Sequence, residues 1–204
     1  MAITCPVDFD TQVLRLEVSS VYSRVATDPA GDFHFHRGPA YAANFLGYDA
    51  GELSALPLEC TASFAGVANP HAIAPLVAGE TVLDIGCGAG TDLLLAARRV
   101  GPGGHAIGID MTEAMRDRAR GSADAAGLTN VEVRQADATA LPLPDASVDI
   151  VISNGVLNLV PEKEKAFAEI YRVLRPGGRL QLADIVLDAE LDESVRRNID
   201  LWTG

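Results

Sequence analysis

Thr81-Val82-Leu83-Asp84-Ile85-Gly86-Cys87-Gly88-Ala89-Gly90 is the stretch on which the fold turns. Its first five residues form a short apolar run rich in branched side chains, the pattern of a strand buried on both faces. Three glycines at alternate positions break that run, and Thr91 to Val100 resumes with a helical pattern closed by Gly101 and Pro102. Strand, glycine turn and helix open a βαβ unit, and the alternation continues downstream. Residues 105–109, 131–135, 148–153 and 179–186 predict four more strands. Thr112 is placed to cap a helix that Gly127 ends, and Pro161 to start one whose Phe167, Ile170, Tyr171 and Leu174 share a face. Leu191, Val195, Ile199 and Trp202 suggest a last helix. The order predicts an α/β domain over residues 79–204: a parallel sheet with helices on both faces.

Upstream of about residue 78 the texture differs. Leu14, Val18, Val21, Tyr22 and Val25 mark one face of a helix that should stop near Asp28-Pro29. Residues 32–70, with many Gly, Pro and aromatic residues, predict short helices and loops. Residues 1–78 therefore read as a helical and loop lid beside the sheet domain.

Composition bounds what the chain can do. Its 204 residues are 48% hydrophobic and 22% charged, enough apolar surface for one packed core. Sixteen Lys and Arg against 28 Asp and Glu leave a net charge of -12, the wrong sign for nucleic-acid backbones or anionic membranes. With neither a basic-then-apolar start nor a run long enough to span a bilayer, the expectation is a cytoplasmic protein. Cys5, Cys60 and Cys87 form no CxxC pair and predict free thiols with no metal site.

The glycine turn carries the chemistry. Glycines let backbone approach a ligand and adopt positive φ, and the helix behind presents unpaired amides. Asp110 closes the second strand, where a carboxylate can accept from two ribose hydroxyls, and Asp137 follows the third, near the place of an adenine amino group. A GxGxxG dinucleotide fingerprint needs glycine where Thr91 stands, and no GxxxxGK[ST] phosphate loop occurs. Asp84, two residues before the first glycine, would oppose a pyrophosphate and suit a cationic amino-acid end. S-adenosylmethionine carries that end and an adenosine, without phosphate; an NAD-dependent oxidoreductase is disfavoured by the same residues.

Val82 to Gly90 resembles the first motif of class I S-adenosylmethionine-dependent methyltransferases, and Gly108-Ile109-Asp110-Met111-Thr112 and Leu174-Arg175-Pro176-Gly177-Gly178 resemble later ones. Residues 63–70 and 152–159 are similar to arsenite methyltransferases, over a match from about Tyr41 to Gly204. The resemblance implies a Rossmann-like sheet and S-adenosylmethionine as cofactor. It places Gly86, Gly88 and Gly90, with Asp84, at the methionine end, Asp110 at the ribose, Asp137 and Ala138 at the adenine, and Asn154 near the methyl group, with Cys87 and Met111 also among the cofactor-binding residues. In that family cysteine thiolates hold trivalent arsenic, and two of them align with Val67 and Gly155 here. Cys60 is the candidate substitute.

Two further strands expected of the superfamily, an antiparallel hairpin, have no counterpart before Gly204. That leaves an apolar fifth-strand edge and the expectation of a partial chain or a homodimer. The primary reading is in-line methyl transfer to a small soft nucleophile, including thiol-bound arsenic, under a lid containing Phe64, Asn69 and Tyr41. A small organic acceptor remains open, with Tyr41, His34 and His36 as candidate bases, as does a noncatalytic S-adenosylmethionine-binding or assembly module.

Overall fold

The computed structural model describes residues 10–186. Helix α1, Thr11–Thr27, begins where the Asp10 side chain accepts from the Gln12 amide and buries Leu14, Val18, Val25 and Ala26. Three short helices follow: α2, Gly38–Phe45, α3, Ala50–Ser54, and α4, Leu58–Thr61. A 3₁₀ turn, Pro70–Ala72, leads toward the sheet. Then strands and helices alternate: β1 Thr81–Ile85, α5 Thr91–Val100, β2 His105–Asp110, α6 Glu113–Ala125, β3 Val131–Gln135, β4 Val148–Asn154, α7 Lys163–Val173 and β5 Leu174–Ala183.

The sheet runs β3-β2-β1-β4-β5, and every pairing is parallel. Chain order moves outward from β1 to β3, then crosses to β4 on the other side of β1. Such a reversal opens a crevice at the carboxyl ends of the two central strands. Leu83, Ile85, Ile107, Ile109, Val148 and Val151 pack on one side with α7, while Leu93, Leu94 and Leu95 of α5 are buried with α6 residues Met115 and Ala119. Each fully buried leucine contributes about 2 kcal/mol by leaving water. The upstream segment is not detached: Val25, Ala42, Tyr48, Leu53, Cys60 and Phe64 share one buried cluster with Leu93, Leu94 and Met115.

Three expectations need correction. The buried stripe of α7 is Ala166, Ile170 and Val173, whereas Phe167 and Tyr171 are 40% and 83% exposed. Ala166 and Val173 complete a stripe with Ile170 at helical spacing, so the aromatic pair falls on the outer flank. Strand β5 starts directly after α7 at Leu174, with a register irregularity against β4 between Val148 and Ile150, and not at Arg179. Within this detour a Cβ on Gly178 would lie 2.9 Å from the carbonyl oxygens of Arg175 and Asp149, so glycine lets the two strands close. Thr112 occupies the N-cap position of α6, yet its side chain makes no capping bond. The last expected helix lies outside the described residues. Among the described residues, β5 has β4 as its sheet neighbour, and no helix is long and apolar enough to cross a membrane.

Candidate functional site

A cleft of about 1110 Å³, its mouth included, opens at the carboxyl ends of β1, β2 and β4. Asp84, Gly86, Cys87, Gly88, Asp110, Met111, Asp137, Ala138 and Asn154 all line it. Gly90 does not, because it is the left-handed N-cap of α5, with φ +100°, and packs where a Cβ would sit 3.3 Å from Ala119 of α6.

The three glycines of the turn serve three purposes. Gly86, at φ +68°, lies beneath the Val156 side chain, which fills the space a Cβ would take. Gly88 faces open space, with Met115 Sδ 3.9 Å from the position of an added Cβ, so it alone leaves backbone bare to a ligand. Gly90 seats helix on helix. The turn itself is pinned to β2: the amides of Gly86 and Cys87 donate to Ile109 O at 2.8 and 2.9 Å.

Asp110 anchors the same turn. Its Oδ2 accepts from the Gly88 amide at 2.9 Å and its Oδ1 from the Thr112 amide at 2.8 Å. A carboxylate offers about four acceptor positions, so roughly two remain for hydroxyls. Burial raises its pKa above the ordinary carboxylate value, against the pull of those amides. Asp84 is 2% exposed, and its Oδ2 has no hydrogen-bond partner. Burial, then the charges of Asp92 and Asp110, hold its carboxyl well above the usual range. A buried carboxylate left unpaired beside an open cleft is costly, and a cationic group from a ligand would relieve it.

Asn154 reaches the cleft with its carboxamide committed. Its Oδ1 accepts from the Val67 amide at 2.8 Å, and its Nδ2 lies within bonding distance of Tyr48 Oη, Ala68 O and Asp92 Oδ2, at 3.0, 2.8 and 3.0 Å. Tyr48 Oη donates to Asp92 Oδ1 at 2.7 Å, and His71 Nε2 stands 3.2 Å from that oxygen without hydrogen-bond geometry. Burial, reinforced by Asp92, raises the Tyr48 pKa far above that of a free phenol. Asn154 thus ties residues 67–68 to α5. A Cβ on Gly66 would run into its side chain.

At the other end Asp137 accepts three hydrogen bonds. Its Oδ1 accepts from Thr139 N and Oγ1 at 2.8 and 2.7 Å, and its Oδ2 from Arg15 Nε at 2.8 Å. Arg15 also donates to Glu162 Oε2 at 2.9 Å. Arg15, Val18 and Tyr22, one helical turn apart, put α1 against the cleft. Burial and the Asp110 charge push the Tyr22 hydroxyl up to about 12.

The two described cysteines are both buried free thiols. Cys60 is fully buried, donates to Pro57 O at 3.2 Å and is not on the cleft wall; burial pushes its pKa up to about 12. The structure therefore does not bring this expected substrate ligand to the cleft: its thiol is buried on α4 and held in the protonated form. Cys87 lines the cleft but packs against β2, where a Cβ on Gly108 would lie 2.8 Å from its Sγ. Val67 and Gly155 do come together, a Cβ at Gly155 falling 3.2 Å from Val67 Cγ1. Of the lid candidates Phe64 lines the cleft, while Tyr41, His34, His36 and Asn69 do not. Asn69 instead caps the 3₁₀ turn, and His36 stacks on Tyr41 at 5.2 Å.

Residues 76–203 match the model of a family described as a methyltransferase domain. The chain belongs to the methyltransferase domain family. Within it this methyltransferase chain is arsenite methyltransferase-like: it is 46% identical over 159 residues to an arsenite methyltransferase of Halobacterium salinarum, covering 78% of this chain and 40% of that one. A demethylmenaquinone methyltransferase of Listeria welshimeri is 40% identical over 106 residues, covering 52% and 45%. The arsenic (III) S-adenosylmethionine methyltransferase CrArsM of Chlamydomonas reinhardtii superposes with a TM-score of 0.66 at 38% identity, covering 71% of this chain and 51% of that structure. The chain thus spans 40 to 45% of the length of these two curated relatives.

S-adenosylmethionine is the cofactor of this methyltransferase fold, and the residues present fit it. The unpaired Asp84 oxygen suits its ammonium, bare Gly88 its close approach, and the two remaining acceptor positions on Asp110 its ribose diol.

Arg15, Asp92 and Tyr48 join the site without a motif that marks them. Asp92 has the form of an ordinary first-turn carboxylate, and only the fold sets it against Tyr48 and Asn154. Arg15 did carry a signal: a cation seven residues before Tyr22, on the flank of an apolar helix face, in an acidic chain.

Proposed function

We propose that this chain is an arsenite methyltransferase-like methyl-transfer domain, moving a methyl group from S-adenosylmethionine to a small soft nucleophile. The observation that carries this reading is the unpartnered, buried Asp84 oxygen in a cleft whose other polar groups are disposed for an adenosine. Bound there, the cofactor supplies an electrophilic methyl on a sulfonium centre. Asp84 holds the amino-acid end, Asp110 the ribose, and Asp137 with Ala138 the adenine. Phe64, Val156, Leu159, Val160 and Pro161 give the cleft an apolar wall that excludes water. The contribution of the chain is alignment and dehydration, which is what an in-line displacement requires.

The acceptor follows from where sulfur is missing. The two positions that the resemblance assigns to cysteine meet where the lid touches the exit of β4, but they hold Val67 and Gly155. Arsenic presented to this cleft must then arrive on thiols from outside it, such as glutathione. Incubation with methyl-labelled S-adenosylmethionine, arsenite and glutathione should label arsenic products, and the yield should depend on added thiol. Retained cofactor with unlabelled arsenic would overturn arsenic and turn the reading to a small organic acceptor, which the apolar wall suits. A chain that retains no label would overturn the cofactor site itself.

A further inference from the structure

The cleft is acidic, with Asp84, Asp92, Asp110 and Asp137 on its wall, and Arg15 is the one Lys or Arg lining it among the described residues. That cation comes from α1, 122 residues away from Asp137 in the chain. Its Nε meets Asp137 Oδ2 at 2.8 Å, while Nη2 reaches Glu162 Oε2 at 2.9 Å, so the guanidinium bridges the segment after β3 and the residue before α7. Thr139 occupies Asp137 Oδ1 twice, through N and Oγ1. Of about four acceptor positions on a carboxylate, three are filled, and the one left lies on the oxygen that Arg15 holds.

We infer that Arg15 is a positioning residue for the cofactor: by clamping Asp137 it leaves a single acceptor aimed to read the 6-amino group of adenine. The inference rests on the reading that S-adenosylmethionine occupies the cleft. A freely rotating Asp137 could turn from the 6-position to accept from the N1–H that a 6-oxo purine presents beside it. A clamped one distinguishes an amino donor from a 6-oxo acceptor, because an oxygen facing an oxygen leaves both without a partner. The second contact, to Glu162, stops the guanidinium from following the carboxylate. On this account α1 is part of the cofactor site and not only a cover over it.

A strap that merely ties α1 down would weaken all ligands alike, so the test is a ratio. Affinities of S-adenosylhomocysteine and its 6-oxo counterpart would be measured by calorimetry for the whole chain and for Arg15→Gln, Arg15→Lys and Asp137→Asn, with melting temperatures confirming that each is folded. The unaltered chain should prefer the 6-amino ligand by roughly tenfold or more, and Arg15→Gln should cut that preference below about threefold. Arg15→Lys, which keeps the charge and loses the fork, should fall between. In an Asp137→Asn background Arg15→Gln should change the ratio no further. An equal loss for both ligands in Arg15→Gln, or tighter binding of both, would overturn the inference while leaving the cofactor site standing. Failure of the unaltered chain to bind either ligand would remove the cofactor reading and this inference with it.

Discussion

At the methionine end of the cleft, Asp92 is shared by Tyr48 and Asn154 in a network whose tyrosine and carboxylate are 5% and 7% exposed. At the adenine end, Arg15, Asp137 and Glu162 form ion pairs whose side chains are 26%, 35% and 30% exposed. Both join the upstream segment to the sheet domain, but the Tyr48–Asp92 pair is much the more deeply buried. A buried network loses the full desolvation cost of each group orphaned when a member is removed, while a half-exposed pair exchanges its partner for solvent. The lid is therefore fixed firmly at the Asn154 side of the cleft and loosely at the Asp137 side. Substitutions at the two ends should differ accordingly.

The largest effect is expected from Asp92→Ala, which leaves the Tyr48 hydroxyl and the Asn154 amide without their acceptor. Chemical denaturation should show a loss of about 3 kcal/mol. A loss under about 1 kcal/mol would mean that water reaches this network and the contrast between the ends is false. Next is Gly86→Ala. A methyl group there meets Val156 and a φ of +68°, and should cost about 2 kcal/mol as well as cofactor affinity. Val156→Ala in the same chain should return only the steric part.

Asp84→Asn separates binding from folding. The carboxyl pKa of Asp84 is raised in the folded chain, so between the ordinary carboxylate value and the folded value the native state holds more protons than the unfolded state. Stability then falls as pH rises through that window, and above it the cost is fully present. The amide removes the cost, so the ligand-free protein should melt higher at pH 7 while S-adenosylmethionine binds at least about tenfold more weakly. A variant that melts no higher would show that Asp84 is paired in solution. Asp110→Ala should also weaken the cofactor by more than about tenfold in calorimetry, and unchanged affinity would sink the ribose assignment. Smallest of all, Arg15→Gln should alter stability by less than about 1 kcal/mol, which thermal melts at low and high salt would check.

The parts of the molecule legible in the sequence are those set by neighbours along the chain. The run 81–90 announces β1, its turn and α5 because burial on both faces and glycine at positive φ are local demands. The bounds of β3 follow from the same logic, and so does the stop of α1 near Asp28. The face of α7 did not, since Phe167 and Tyr171 match helical spacing as well as Ala166 and Val173 do, and only packing against the sheet chooses between them. Cys60 could be placed near the lid by sequence distance, but the direction of its thiol depends on how α4 sits. The ties at both ends of the cleft span 44 residues between Tyr48 and Asp92 and 122 between Arg15 and Asp137, beyond the reach of any periodicity. Asn154 shows the limit from the other side: its place at the cleft was readable, and its commitment to residues 67–68 was not.

The contact of Val156 with Gly86 also constrains how the sequence can change. Bulk can be lost at position 156 with nothing required of position 86, but bulk cannot be gained at 86 while valine remains at 156. Of the two orders in which a lineage could alter this pair, one meets only the backbone cost at position 86 and the other meets the clash as well. The glycine turn and the exit of β4 are thus inherited in a fixed order of dependence, a ratchet between two loops that lie seventy positions apart in the chain.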